Sequence, residues 1–78
     1  MEANIMTFEK VKEIIVDNLG VEDITLESKF TEDLRADSLD FVEIVEAIED
    51  SFDIQIPDEV YDHIVTVGDI VEYVNSVI

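Results

Sequence analysis

The chain has no cysteine, one proline, two glycines and one histidine among its 78 residues. Without cysteine there is no disulfide framework, no zinc–thiolate site and no thiol redox chemistry. With glycine only at Gly20 and Gly68, no Asp-x-Asp-x-Asp-Gly loop exists, which removes a calcium-sensor reading. Basic residues are scarce: Lys and Arg number 4 against 21 Asp and Glu, for a net charge of -17 at pH 7. Such a chain repels nucleic acid and anionic membranes, whose binding needs clustered Lys or Arg. Long apolar runs are missing too. The longest is Ile14 to Val16, which excludes a membrane-spanning helix. No basic stretch followed by an apolar one marks a signal peptide. A soluble, cytoplasmic protein is the expectation. No serine has a recognisable base beside it, and His63 stands alone in a short helical stretch, so no catalytic residues and no metal site are expected.

Apolar residues make up 47% of the chain, too many for a disordered acidic segment. Residues 1–78 are read as one domain with a thin core and a net stability of a few kcal/mol. The acid surplus should attract basic patches on partner proteins and speed their encounter. It should also repel itself, so salt, divalent cations or mild acid are expected to stabilise the fold, and a monomer is expected.

Four helical stretches can be read. The first begins near Thr7, a plausible N-cap, and carries Phe8, Val11, Ile14, Ile15 and Leu19 at helical spacing, with Gly20 as its C-cap. A long loop follows, in which Val21, Ile24, Leu26, Phe30 and Leu34 are expected to lie across the core. The second helix starts at Asp37, which caps its first turn, and runs to Asp50 or Phe52. Pro57 opens a short third helix. Thr66 caps a fourth, with Asp69 completing a capping box and Val67, Ile70, Val71, Val74 and Ile78 as its apolar stripe. Its β-branched residues make a strand the competing reading; the spacing decides for a helix. The expected fold is all-α: a four-helix bundle of three longer helices and one short, with a long loop after the first.

On a helical wheel Phe41, Ile44, Val45, Ile48 and Phe52 share the core sector of the second helix. Leu39 and Val42 fall on the far side near Glu43, Glu46 and Asp50, flanked by Asp40 and Glu49. Scattered exposed apolar residues are ordinary. The sharper reading is a docking face, where acids steer a basic partner and Leu39 and Val42 form the dry contacts. Ser38, first in this helix, lies where unpaired N–H groups favour an attached phosphate. Spacing alone nevertheless favours a plain capping role for the Asp37–Ser38 pair.

The stretch "DLRADSLDFVEIVEAIEDSFDIQIPDE", followed by "TVGDIVEYV", resembles the acyl carrier proteins of fatty acid synthesis. The resemblance covers essentially the whole chain. It implies that Ser38, flanked by Asp37 and Leu39, bears a covalent 4′-phosphopantetheine whose thiol carries the growing acyl chain. It also implies a four-helix bundle that shelters the acyl tail; Ile44, Val45, Ile48, Ile64, Val71 and Val74 are candidate walls. The implied partners are a phosphopantetheinyl transferase (a holo-acyl carrier protein synthase) and synthesis enzymes with basic patches. They would meet Leu39, Asp40, Val42, Glu43, Glu46, Glu49 and Asp50. Asp33 and Asp58 match further acidic positions of the family. Two residues depart from its pattern: Arg35 stands where glycine is common, and Glu46 where methionine is common. A carrier of polyketide, aminoacyl or D-alanyl cargo, and an unmodified acidic interaction module, are the alternatives.

Overall fold

Four apolar runs at helical spacing become four helices in the computed structural model, which describes residues 2–78 and their side chains from Met6 onward. They are α1 (Glu2–Leu19), α2 (Ser38–Phe52), α3 (Asp58–Tyr61) and α4 (Val67–Val77). The described residues contain no strand, only an isolated bridge between Lys29 and Thr66. Helix α1 packs against α4 and α2. Val11, Ile15, Ile44, Val45, Ile48, Val67, Ile70 and Val74 lose all their exposure in the shared core. Burial of four β-branched side chains of α4 outweighs their poor helix propensity.

Three sequence expectations are corrected. Thr7 is not a cap: the backbone is helical from Glu2, and Thr7 is buried within α1. Its hydroxyl instead donates to Asn75 Oδ1 at 2.7 Å, tying α1 to α4. Ile78 lies past the end of α4 and is 61% exposed. In the long loop Ile24, Phe30 and Leu34 are buried as expected, but the Leu26 side chain faces solvent.

Leu26 contributes through its backbone. The first turn of a helix has N–H groups without intrahelical partners. In α4 the loop supplies acceptors: Val67 N–H donates to Ser28 O at 2.9 Å and Gly68 N–H to Leu26 O at 2.8 Å. Phe30 N–H donates back to Val65 O at 3.0 Å. The approach at Gly68 is so close that a Cβ there would sit 2.9 Å from the Leu26 carbonyl oxygen. Gly68→Ala should therefore lower stability by roughly 1–3 kcal/mol, although alanine is the better helix former. A urea midpoint equal to or above that of the parent would contradict this reading of the loop clip.

Thr66 and Asp69 form the capping box of α4. The Asp69 carboxylate accepts the N–H groups of Thr66 and Val65 at 3.0 and 2.9 Å, and these bonds hold its pKa below the usual carboxylate range. A depressed pKa contributes stability above the unfolded value that is lost as pH falls through the folded one. Mild acid works the other way first, by neutralising part of the acid surplus. Thermal stability is thus expected to rise on acidification from neutral and then fall. Asp69→Asn, with no charge to titrate, should soften the falling limb; an unchanged limb would assign it to other carboxylates.

Among the described residues the one ion pair is Lys29–Glu32, at 3.6 Å on the surface, so the acid surplus is almost wholly uncompensated. Millimolar magnesium at low ionic strength should raise the Tm by roughly 4–8 °C, the shift that about 1 kcal/mol produces in a domain of this size. A flat response would show that self-repulsion is not limiting.

Candidate functional site

The segment before α2 is folded by its own backbone. Asp33 and Leu34 N–H both donate to Lys29 O, Ala36 N–H donates to Phe30 O at 2.8 Å, and Asp33 Oδ2 accepts Lys29 N–H at 2.8 Å. Phe30, Leu34 and Ala36 anchor it in the core. Between the last two, Arg35 takes φ 58°, left-handed backbone that glycine adopts without steric cost and other residues adopt at about 1 kcal/mol or more. The departure at this position is thus accommodated by strain, and the arginine side chain lies in solvent.

Helix α2 then begins. Asp37 Oδ1 accepts Asp40 N–H at 2.9 Å and Asp40 Oδ2 accepts Asp37 N–H at 3.4 Å, a reciprocal cap. Ser38 is the first helical residue and is exposed. Its hydroxyl makes no hydrogen bond among the described residues. Its own N–H and that of Leu39 lack intrahelical partners, so the helix tip is electropositive around the hydroxyl.

Beside Ser38 opens a cleft of about 600 Å³. The loop contributes Phe30 and Ala36, α2 contributes Phe41 and Val42, and Tyr61, Ile64 and Val65 close the far side. Phe41 stacks edge-on against Phe30 at 5.3 Å and against Tyr61 at 5.5 Å between ring centres. Burial, followed by the negative charges of Glu49, Asp58 and Glu46, raises the Tyr61 phenol pKa. Of the expected tail walls only Ile64 lines this cleft. Ile44, Val45, Ile48, Val71 and Val74 are consumed in packing α2 and α4 against α1, so the cleft lies on the α3 side. The sequence reading missed Tyr61 and placed Phe41 wholly in the core. The signal available was one aromatic residue in each of two neighbouring helices, but pairing them required the tertiary fold.

The expected docking residues separate into two groups. Leu39, at 67% exposure, and Glu43, Glu46 and Asp50 face solvent along one stripe of α2 at spacings of four, three and four. Asp40, Val42 and Glu49 are half-buried. Asp40 closes the cap, Val42 lines the cleft, and Glu49 Oε2 accepts Ile56 N–H at 2.6 Å, fastening the segment after α2 to the helix. His63 is exposed and does not line the cleft. No group of carboxylates and histidine among the described residues is arranged to hold a metal ion.

An accessible, unengaged hydroxyl at a helix tip, with an apolar trench beside it, fits a tethered group. The family model described as "Phosphopantetheine attachment site" matches residues 9–74. The acyl carrier protein of Clostridium acetobutylicum is 51% identical over 73 residues, spanning 91% of this chain and 95% of the relative. That of Wolinella succinogenes is 52% identical over 71 residues, spanning 88% and 93%. The chain therefore belongs to the phosphopantetheine-attachment family and, within it, to the acyl carrier proteins. Members of that family hold 4′-phosphopantetheine covalently, and the residues around Ser38 leave room for such an arm.

Proposed function

We propose that Ser38 bears the 4′-phosphopantetheine arm, and that this single domain carries growing fatty acyl chains as thioesters and presents them to the enzymes of fatty acid synthesis. The observation carrying this reading is the Ser38 hydroxyl, exposed at the first position of α2 and at the mouth of the apolar cleft. When attached, the arm supplies the thiol that holds the acyl group. The chain's own residues do the rest. Asp37 and Asp40 fix the start of α2, so the hydroxyl is presented at a constant angle to the transferase. The helix tip favours the phosphodiester's negative charge. Phe41, Val42, Ile64 and Val65 offer apolar walls to the first part of a tail. In this role the protein carries and does not catalyse.

Transfer between enzymes needs encounters that are fast and brief. The stripe of Glu43, Glu46 and Asp50 around Leu39 supplies both: long-range attraction to basic patches, screened by salt, around one small apolar contact. Glu46 lies at the centre of that stripe, which favours partners with more positive charge there. The cytoplasm, where such enzymes meet their substrates, is the proposed location. No described helix is long and apolar enough to cross a membrane.

Incubation with coenzyme A, magnesium and a broad-specificity phosphopantetheinyl transferase tests the reading. The intact mass should rise by one arm. An unchanged mass under conditions that modify a known carrier would leave an acidic interaction module as the better description.

A further inference from the structure

The cleft is short, and what ends it is aromatic. Helix α2 contributes to it only through Ser38, Phe41 and Val42. From Ser38 to Val42 the helix rises about 6 Å. One turn further on, Ile44, Val45 and Ile48 have no exposure at all. A tail entering beside Ser38 therefore meets the closed face of the core after a few carbon–carbon bonds, each advancing an extended chain by roughly 1.2 Å.

The way onward, between α2 and α3, is barred by two rings. Phe41 and Tyr61 meet edge to face at 5.5 Å and 85°. Phe41 is backed on its other side by Phe30, at 5.3 Å and 77°, and Phe30 is only 2% exposed. Phe41 is thus clamped, and Tyr61 is the partner that moves. Its helix is a single turn with no buried residue, and its N-cap Pro57 makes no side-chain bond to it. Val60 and Tyr61 are the α3 side chains packed against the core.

Resting on the carrier reading above, we propose that the Phe41–Tyr61 pair sets the length of acyl chain this protein shelters: short chains lie in the cleft beside Ser38, and longer ones project into solvent unless the rings part. Tyr61 acts as a length selector, because it alone joins the mobile turn to the clamped ring. Removing its ring opens the space between α2 and α3 to further methylenes.

The test uses the arm-bearing protein loaded with butanoyl, hexanoyl, octanoyl or dodecanoyl groups, each confirmed by intact mass. The readouts are cleavage of the thioester by hydroxylamine and the Tm. In the parent chain protection should rise from butanoyl to hexanoyl and then level off. In Tyr61→Ala it should keep rising, leaving the dodecanoyl thioester roughly tenfold more slowly cleaved than in the parent, the equivalent of about two more buried methylenes. Tyr61→Phe, which keeps the ring, should match the parent. A parent curve that climbs steadily to dodecanoyl, or one that Tyr61→Ala leaves unchanged, overturns the proposal while leaving the carrier reading intact. Failure to take up the arm overturns the carrier reading instead. Should Tyr61→Ala lose its helical circular dichroism, proton spectra of the parent decide. Loading with dodecanoyl should shift the Tyr61 and Phe41 ring signals and leave the Ile48 methyls in place; shifted Ile48 methyls overturn the selector.

Discussion

Ser38→Ala will fold as the parent does and gain no arm. The two halves of this expectation have separate physical origins. The fold survives because Ser38 contributes nothing to it: the residue is exposed, its hydroxyl is unengaged, and the cap of α2 is made by Asp37 and Asp40. Alanine is also a better helix former than serine, so the change in stability should stay within about 0.5 kcal/mol. Modification is abolished because no other serine shares the environment. Ser28 is buried, with its hydroxyl accepting Thr25 N–H at 3.0 Å. Ser51 lies within α2 and Ser76 within α4, away from any helix start. Intact mass after incubation with transferase and coenzyme A, together with circular dichroism, reads both halves at once. A full mass gain in the variant would move the attachment site elsewhere and leave the helix-tip argument without support. Loss of fold would show that the exposed hydroxyl has a structural partner after all.

The second large effect is expected from Ile48→Ala. Ile48 has no exposure and sits in the stretch of α2 that packs on α1. Truncating it removes buried methylenes and leaves a void that the neighbouring helices fill only in part, at a cost of about 2–5 kcal/mol. In a domain of this size that lowers the Tm by roughly 10–30 °C. The domain starts from small stability and a charge of -17 that works against compaction, so at low ionic strength the variant should be largely unfolded. Magnesium or salt should restore much of its helical signal without restoring the packing. Thermal denaturation at two salt concentrations checks this. A Tm within a few degrees of the parent would mean that this part of the core is looser than its burial implies, and would weaken the distinction drawn between core and cleft.

The elements that could be read from the chain were those whose causes are local. Asp37 and Thr66 show themselves as caps because a short oxygen-bearing side chain three residues ahead of a second acid satisfies the first turn on its own. Gly20 shows itself as a helix end because φ 73° suits glycine. Thr7 misled for the complementary reason. It has the chemistry of a cap, but its partner is Asn75, nearly the whole chain away. Leu26 misled because its side chain suggested the core, whereas its carbonyl holds the first turn of α4. Asp53, the left-handed residue that ends α2, went unread because aspartate tolerates that conformation without advertising it as glycine does.

Periodicity and composition by themselves determined the four helices, the acid surplus, the outward stripe of Leu39, Glu43, Glu46 and Asp50, and the position of Ser38 at the head of α2. Each of these follows from residues within a turn or two of one another. The tertiary structure alone decided where the apolar opening lies. It put Ile44, Val45 and Ile48 out of reach behind α1, and brought Phe41 and Tyr61 ring to ring beside Ser38. A helical wheel separates inside from outside but does not say which neighbour covers the inside, and that depends on contacts between segments far apart in the chain.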